Sequence, residues 1–294
     1  MPNSNHSTPT ISPGNNGNSF PAISPGNNSN TVPRNAVAAF SPGHNRNAVP
    51  TISPGNNRNA VLAMLPRREF SRLLPHLEPM TFGFMEMLYE PWEPMHYLYF
   101  LQQGVASIVA PMENGSEVEV GMIGAEGVVG ASLLMDVDRS PHRTFIQLPG
   151  TGHRIKSEAL INQFRQSSKL QECLMRAMHA YSTQVHQTAA CNRVHSVEER
   201  LARWLLMSHD RMGSHNGNPP VPITHELMAR MLGARRSTVT IFAGILQRAN
   251  FIQYQRGLVH ILDRKGLEGV ACECYDTVRS ECERLMRIDG NGSL

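Results

Sequence analysis

A cluster of arginine and hydroxyl side chains between residues 223 and 262 has the residue types most suited to a specific chemistry. Guanidinium and hydroxyl groups donate hydrogen bonds to phosphate oxygens and to base edges. The candidate contacts are Arg235, Arg236, Ser237, Thr238, Thr240, Arg248 and Arg256. Most of them fall at the start of a predicted helix, which is the end that meets base edges in the major groove. The pattern predicts binding to duplex DNA.

Two short helices and a hairpin would position these side chains. Thr224 is placed to cap a helix that ends at Leu232, and Gly233 follows where a turn needs a positive φ. A second helix starts near Arg235. Its predicted buried stripe is Val239, Phe242, Ile245 and Leu246. The predicted strands are Ile252–Gln255 and Leu258–Leu262, on either side of Arg256 and Gly257. This order of elements predicts a winged helix-turn-helix.

Charge is distributed unevenly along the chain. Residues 222–264 hold six basic and two acidic side chains, whereas residues 61–163 hold seven basic and twelve acidic ones. The net charge of +3 for the whole chain therefore conceals one basic and one acidic region. Only the basic region suits a phosphate backbone. A basic winged helix used for protein contacts is the alternative.

The segment Gly233–Val239 resembles the helix-turn-helix of the Crp/Fnr superfamily of transcription regulators. That resemblance implies that Arg236 reads a guanine, that the protein binds palindromic operators as a homodimer, and that RNA polymerase is a partner. Ser237 stands where the cyclic-AMP receptor protein of this family has a glutamate, and Ile241 stands at a position for a basic contact. The family's best-known half-site is therefore not implied.

Short apolar segments separated by turn residues precede this region. They are Phe82–Tyr89, Met95–Leu101, Val105–Pro111, Glu117–Met122 and Phe145–Leu148. Such closely spaced segments predict a β-roll or barrel, and the resemblance implies a cyclic-nucleotide-binding-type roll. A helix is predicted over Val61–Leu74. The fold class is therefore α+β.

The candidate effector pocket departs from the cyclic-nucleotide pattern. Binders of this family carry a Gly-Glu pair for the ribose and an arginine with Ser or Thr for the phosphate. Here Gly130 is followed by Ala131, and only Arg143 and Thr144 could take the phosphate position, with Glu126 as a substitute carboxylate. Three possibilities stay open: cyclic AMP, an unidentified small effector, or a domain that binds no ligand.

A long helix is predicted from Ser168 to Asn192, between the two regions. Its apolar side chains recur close to a heptad spacing: Leu170, Leu174, Ala177, Tyr181 and Val185. We predict that this seam joins two copies of the chain, the alternative being that it packs on its own roll. Ser196 is predicted to cap a further helix, and a C-terminal helix is predicted over Arg264–Arg287.

The five cysteines do not follow familiar ligand spacings. Cys272 and Cys274 are separated by one residue, whereas structural metal sites commonly use two to four. An iron–sulfur regulator of this family would need a cluster near the start of the roll, and the first cysteine is Cys173. The sequence therefore predicts packing thiols of a cytoplasmic protein, with no metal and no cofactor.

The first 60 residues differ from the rest of the chain. They hold fourteen asparagines, nine prolines and no acidic residue, in four irregularly spaced copies of a Ser-Pro-Gly unit. Such a segment cannot bury enough apolar surface to offset its ordering entropy, so we predict disorder over residues 1–60. No run is apolar enough for a membrane helix, and we expect no membrane partner.

The predicted organisation is a tail over 1–60, a roll over 61–166, a dimerisation helix over 167–193 and a winged helix over 194–287. We expect a DNA-binding regulator without enzymatic activity, because residues 61–160 show no nucleophile–base pair or metal set. The alternative is a ligand sensor or scaffold that has lost specific DNA binding.

Overall fold

An antiparallel five-stranded sheet forms the first half of the computed structural model, which describes residues 57–212 and 219–286. The strands are β1 (Glu78–Phe82), β2 (Met87–Tyr89), β3 (Tyr97–Pro111), β4 (Glu117–Ile123) and β5 (Arg143–Lys156). β5 pairs with β1, β2 and β3, and β4 pairs with the other edge of β3. The sheet is the predicted roll.

Two of the predicted strands are one continuous strand, β3. Register shifts between Leu101 and Ala106 let the strand bend there without ending. Gly104 makes the bend possible, because its φ is +95° and a Cβ there would lie 2.6 Å from the Leu148 carbonyl oxygen. The glycine that reads as a strand boundary in the sequence is therefore a bulge inside a strand.

The chain enters the roll through buried asparagines. Asn59 is fully buried, and its side-chain amide donates to the carbonyls of Leu101 and Gly127 at 3.0 and 2.8 Å. The predicted disorder is therefore wrong for residues 57–60, because the Asn59 amide is held by two carbonyl groups of the folded roll. For residues 1–56 that prediction lies outside the described part of the chain.

Two short helices replace the single helix predicted over Val61–Leu74. They are α1 (Ala60–Ala63), capped by the Asn59 side chain, and α2 (Arg67–Leu73). Pro66 separates them, because proline lacks an amide hydrogen and is tolerated just before or within a first helical turn but not in the interior. A 3-10 turn over Leu74–His76 then leads into β1.

The long predicted helix is confirmed. Helix α3 (Ser157–Gln166) leaves the roll, and Ser167 caps α4 (Ser168–Val194) by accepting a hydrogen bond from the Leu170 amide. Ser196 and Glu199 then form a reciprocal capping box at the start of α5 (Val197–Met212). Two residues, 195 and 196, separate the end of α4 from the start of α5.

A winged helix-turn-helix completes the described chain, as predicted. It consists of β6 (Val221–Pro222), α6 (His225–Leu232), α7 (Arg236–Arg248), β7 (Ile252–Gln255), β8 (Leu258–Ile261), α8 (Arg264–Val270) and α9 (Cys274–Met286). The sequence missed β6, which pairs with β8. The single C-terminal helix predicted over Arg264–Arg287 is wrong, because the extended residue Ala271 separates α8 from α9. Arg287 lies outside the described residues.

The roll and the winged helix share apolar packing. One hydrophobic cluster is formed by the roll with α1–α4. A second cluster joins roll residues such as Val105 and Phe145 to Trp204 and Leu205 of α5 and to the helices that follow. In addition, α6 rests on β4, and α9 packs along α4. None of the helices in the described ranges has the length and apolar content needed to cross a bilayer.

Candidate nucleic-acid interface

Local capping fixes the direction of the two helices of the helix-turn-helix. The Thr224 side chain accepts a hydrogen bond from the Leu227 amide and starts α6, as predicted. Gly233 ends it with φ +58° and ψ +38°, the left-handed conformation that favours glycine. Helix α7 then starts at Arg236 with Arg235 in the N-cap position. These residues place the N-terminus of α7 at the surface.

The first two turns of α7 expose most of the predicted contacts. Arg235, Arg236, Ser237 and Thr240 are exposed, and the Arg236 side chain is 69 % accessible. Glu226 lies 3.7 Å from Arg236 Nε, an exposed ion pair too weak to hold the guanidinium in place. Thr238 is half-buried, so this predicted contact is less available than its neighbours.

The buried side of α7 explains this exposure. Val239, Ala243 and Leu246 are at most 2 % exposed, whereas the predicted core residues Phe242 and Ile245 are half-buried. Ala243 was not predicted because its small side chain adds little to a hydrophobic pattern. The buried stripe turns the arginines and hydroxyl groups of the helix outward.

The wing presents Arg256 at its tip. Arg256 has φ +52° and Gly257 has φ +78°, so both central residues of the two-residue turn are left-handed. The exposed Arg256 side chain therefore projects from the hairpin between β7 and β8. Arg248 lies at the other end of α7, and its guanidinium extends back over Gly244, where a Cβ would be 3.6 Å away.

A stacked ring pair connects α6 to the wing. The rings of His225 and Tyr254 have centroids 4.1 Å apart, and Thr240 Oγ lies 3.2 Å from His225 Nδ1. Burial, and then the charge of Arg236, lower the pKa of His225. The ring therefore stays neutral beside the arginine. Sequence reasoning missed this pair, because ring contacts between distant segments leave no local signal.

Ile241 is a further exposed residue of α7. Its side chain is 60 % accessible on the same side of the helix as Ser237 and Thr240. A large apolar side chain in this position is free to contact the methyl group of a thymine. In the sequence, Ile241 could be singled out because it stands where the family has a basic residue.

A cavity of about 590 Å³ lies between the roll, α4 and α9. Three of the four predicted pocket residues line it: Glu126, Gly130 and Thr144. Gly130 adopts φ +90°, and a Cβ there would lie 2.2 Å from the Tyr89 hydroxyl oxygen. The cavity wall therefore requires glycine at this position for steric reasons.

Arg143 does not line this cavity, which corrects its placement as a phosphate ligand. Its Nε donates to Glu90 at 2.9 Å, and its guanidinium also contacts Glu117. Glu117 is buried and contacts Arg230 of α6 as well. Two carboxylates hold Arg143 outside the cavity, and the resulting chain of charges links the roll to the helix-turn-helix.

Arg211 is the arginine that lines the cavity. Its Nε donates to Glu126 Oε1 at 2.7 Å, and the same oxygen accepts a hydrogen bond from the Gly124 amide. The Glu126 carboxylate and the Arg211 guanidinium are therefore paired with each other. The remaining lining is largely apolar, including Met95, Ile108, Met122 and Val128.

A second buried carboxyl group lies where α5 meets the roll. Glu119 accepts a hydrogen bond from Trp204 Nε1 at 2.8 Å and contacts the Ser107 hydroxyl. Burial raises the pKa of Glu119 to about 7, against opposing hydrogen bonds from Ser107 and Trp204. From the sequence alone, Glu119 could be recognised only as a residue on one face of a strand.

The predicted dimer seam lies partly inside the protomer. Leu170, Leu174 and Ala177 are at most 4 % exposed and belong to the core cluster of their own roll. For these three residues the prediction of a contact between two copies is wrong, because no surface is left for a second chain. Tyr181 and Val185 are half-buried and line the cavity. The exposed side of α4 carries Met175, His179, His186 and Ala189 instead.

Comparison with known proteins supports this architecture. Residues 199–270 match the family described as the Crp-like helix-turn-helix domain. Comparison of the sequence with curated proteins finds no significant match.

Solved structures resemble about two thirds of the chain. A protein described as a transcriptional regulator of the Crp/Fnr family from Eubacterium rectale superposes with a TM-score of 0.56 at 17 % identity, over 71 % of this chain and 96 % of that one. TTHB099, a CRP-family transcriptional regulator from Thermus thermophilus, superposes with a TM-score of 0.56 at 20 % identity. The match covers 65 % of this chain and 96 % of that one. FixK2 from Bradyrhizobium japonicum superposes with a TM-score of 0.57 at 14 % identity. The match covers 67 % of this chain and 98 % of that one.

At these identities the structural likeness establishes the fold, and the match of residues 199–270 establishes the type of helix-turn-helix. Residues 199–270 are therefore a Crp-like helix-turn-helix domain, and the chain has the fold of these solved regulators.

Proposed function

We propose that this protein is a sequence-specific transcription regulator that binds duplex DNA. The observation that carries the proposal is the exposed N-terminus of α7, where Arg235 and Arg236 stand clear of the domain beside a wing with Arg256 at its tip. A recognition helix with these donors can enter the major groove while the wing lies along the phosphate backbone. In this proposal the regulator acts in the cytoplasm, and RNA polymerase is its partner at the operator.

Arg236 is the base-reading residue in this proposal. Its guanidinium has two parallel donors that match the N7 and O6 acceptors of guanine. Arg235, Ser237, Thr238 and Thr240 supply neighbouring contacts to bases or phosphates. Arg248 and Arg256 lie at opposite ends of the surface and contact phosphates, which adds affinity without sequence preference.

Ile241 adds an apolar contact to this polar set. Its exposed side chain follows Thr240 directly on α7. Thymine offers the apolar methyl group in the major groove, so the proposal places an A·T pair beside the guanine read by Arg236.

The proposed active form is a homodimer on a palindromic operator. Two recognition helices reach half-sites about 34 Å apart, which is one turn of duplex. The exposed side of α4 offers the surface for a second copy, because the exposed residues Met175, His179, His186 and Ala189, with the half-buried Ser182, recur at spacings of four and three residues. Met175 is 60 % exposed, as expected for an apolar side chain that a partner covers.

The cavity suits a small effector other than a cyclic nucleotide. Its volume of about 590 Å³ lies within the range of small-molecule sites. A cyclic phosphate needs a free guanidinium, and Arg211 is already paired with Glu126 while Arg143 lies elsewhere. A largely apolar ligand fits the lining better.

Selection of bound sequences from a random duplex pool tests the function, using the full-length protein without added ligand. We expect a two-fold-symmetric motif whose half-sites are about one turn apart. Arg236→Ala should weaken binding to the selected site by about 1–3 kcal/mol and relax the preference at one base pair. Arg68→Ala, which removes an exposed arginine from α2, is the matched control.

Equal losses for Arg236→Ala on selected and random duplexes would contradict the assignment of base reading to this residue. Absence of any salt-dependent affinity for duplex, in a correctly folded protein, would support a sensor or scaffold that no longer binds DNA.

A further inference from the structure

Four side chains from two distant parts of the chain meet beside the start of α5. Cys191 lies in the last turn of α4, and His195 directly follows that helix. Cys272 lies between α8 and α9, and Cys274 is the first residue of α9. The three sulfurs and one imidazole nitrogen all lie within 4.8 Å of one another. About eighty residues of sequence separate the two pairs, yet they form one cluster.

Two of the distances between ligand atoms match a tetrahedral coordination shell, and all of them are within 4.8 Å. Cys191 Sγ lies 3.5 Å from Cys272 Sγ, and Cys274 Sγ lies 3.5 Å from His195 Nδ1. A zinc ion with bonds of about 2.3 Å to sulfur and about 2.0 Å to nitrogen separates its ligand atoms by roughly 3.5–3.8 Å. The limit of 4.8 Å on all the separations exceeds this range by about 1 Å, so the ligand atoms are close to the positions that a bound ion requires.

The sequence spacing suits this arrangement as well. Cys191 and His195 are four residues apart, so they lie on the same face at the end of α4. The chain leaves α8 in an extended conformation at Ala271, and this turn brings Cys272 and Cys274 to the cluster. All three cysteines are at most 5 % exposed.

Outer contacts orient two of the four ligands. His195 Nε2 lies 3.2 Å from Glu273 Oε2, so its second nitrogen has a carboxylate partner while Nδ1 faces the sulfurs. Gln187 Nε2 donates to Cys274 Sγ at 3.2 Å. A carboxylate on the far side of a coordinating imidazole, and an amide donor to a thiolate, are typical of the shell around a metal site.

The charge of the surroundings supports the same conclusion. Three thiolates and a divalent cation carry a net charge of −1. Arg203 lies close enough to Cys191, and Arg200 to Cys191 and Cys272, for electrostatic attraction. Arg203 is 5 % exposed, and among the described groups its Nε has no hydrogen-bond partner. An anionic metal centre would compensate this buried positive charge.

We propose that Cys191, His195, Cys272 and Cys274 bind one zinc ion in a structural site. Four protein ligands fill a tetrahedral shell and leave no position for a substrate, which distinguishes structural from catalytic zinc. The ion connects the end of α4 to the start of α9 and so fixes the C-terminal helix against the long helix. The expectation from the sequence that these residues are separate packing thiols is replaced by this proposal.

Metal analysis of the untagged full-length protein tests the proposal. We expect about one zinc per chain after dialysis, because four protein ligands hold the ion tightly. Cys272→Ser should lose it, and Cys282→Ser should keep it. Cys282 is a matched control, since it is a thiol of α9 outside the cluster. Replacement of zinc by cobalt should give the visible absorption of a tetrahedral thiolate complex in the wild type and in Cys282→Ser.

A second variant tests the site even if Cys272→Ser does not fold. Cys274→His replaces one zinc ligand by another, so it should retain the metal and shift the cobalt spectrum. Protein that is folded, free of stoichiometric metal and spectroscopically silent with cobalt would overturn the proposal. A Cys191–Cys272 disulfide in the purified protein, shown by two fewer titratable thiols, would also overturn it, as would stoichiometric iron in place of zinc.

Discussion

The buried carboxyl group of Glu119 should make stability depend on pH near neutrality. Its pKa is about 7 in the folded chain, whereas the ordinary value is 4.5, because burial penalises the charged form. The folded state therefore prefers the protonated acid. Its contribution to stability is fully present below pH 4.5 and is lost as pH rises through about 7.

The magnitude follows from the two pKa values. The difference between 4.5 and about 7 corresponds to a loss of at most about 3 kcal/mol in the free energy of unfolding. Of this loss, about 2 kcal/mol falls between about pH 5.5 and about pH 8.5. These are upper limits, because local relaxation and entry of water reduce the cost of a buried charge.

The hydrogen bonds around Glu119 agree with a proton on the carboxyl group. Ser107 Oγ contacts Glu119 and also lies 2.8 Å from Gln147 Oε1. With the Gln147 amide oxygen towards Ser107, one hydroxyl hydrogen would have to serve two acceptors. A protonated Glu119 can donate to Ser107 while Ser107 donates to Gln147, and its other oxygen still accepts from Trp204.

Glu119→Gln should reproduce the protonated state, because its amide can donate to Ser107 and its oxygen can accept from Trp204. Urea unfolding followed by circular dichroism, at fixed protein concentration, gives the free energy at each pH. The variant should gain about 2 kcal/mol relative to wild type between about pH 5.5 and about pH 8.5.

Glu113→Gln is the control, since it removes a charge from the exposed β3–β4 hairpin without touching the buried network. A difference between wild type and Glu119→Gln that stays constant across this pH range would refute the argument.

Three further predictions concern DNA affinity, the cavity and assembly. Arg256→Ala should weaken binding to all duplexes alike and flatten the salt dependence of affinity by about one phosphate contact, measured by fluorescence anisotropy over a series of salt concentrations. Gly130→Ala should cost about 1–3 kcal/mol of stability in urea unfolding, because the added Cβ meets the Tyr89 hydroxyl and the backbone has φ +90°. Met175→Asp should shift the mass measured by light scattering towards the monomer, whereas Met112→Asp, at another exposed methionine, should not; an unchanged dimer would exclude α4 as the interface.

The sequence predicts the winged helix well because its signals are local. Thr224 caps α6, Gly233 supplies the left-handed turn, and Arg256 with Gly257 forms the hairpin. Each of these features depends on a few neighbouring residues, so the pattern contains the information. The roll is predicted as a class of fold, but Gly104 could not be recognised as a bulge without the Leu148 carbonyl beside it.

The errors arise where sequence periodicity has two physical solutions. A near-heptad stripe packs equally well on a second helix or on the sheet of its own domain. In this chain the sheet covers Leu170, Leu174 and Ala177. The cysteines show a related difficulty: neither Cys191 with His195 nor Cys272 with Cys274 is a site by itself, and only the fold brings the two pairs together.

Arg143 takes part in a contact between the two domains and does not line the cavity. Arg143 and Arg230 share Glu117, which is 8 % exposed, and this places the arginine between the roll and α6. Arg211 meanwhile joins α5 to Glu126 at the cavity. A ligand changes a conformational equilibrium only through contacts that differ between the two states. Under the proposed function, the Glu126–Arg211 pair is the contact through which an effector in the cavity would act on α5, because it lines the cavity and belongs to both domains.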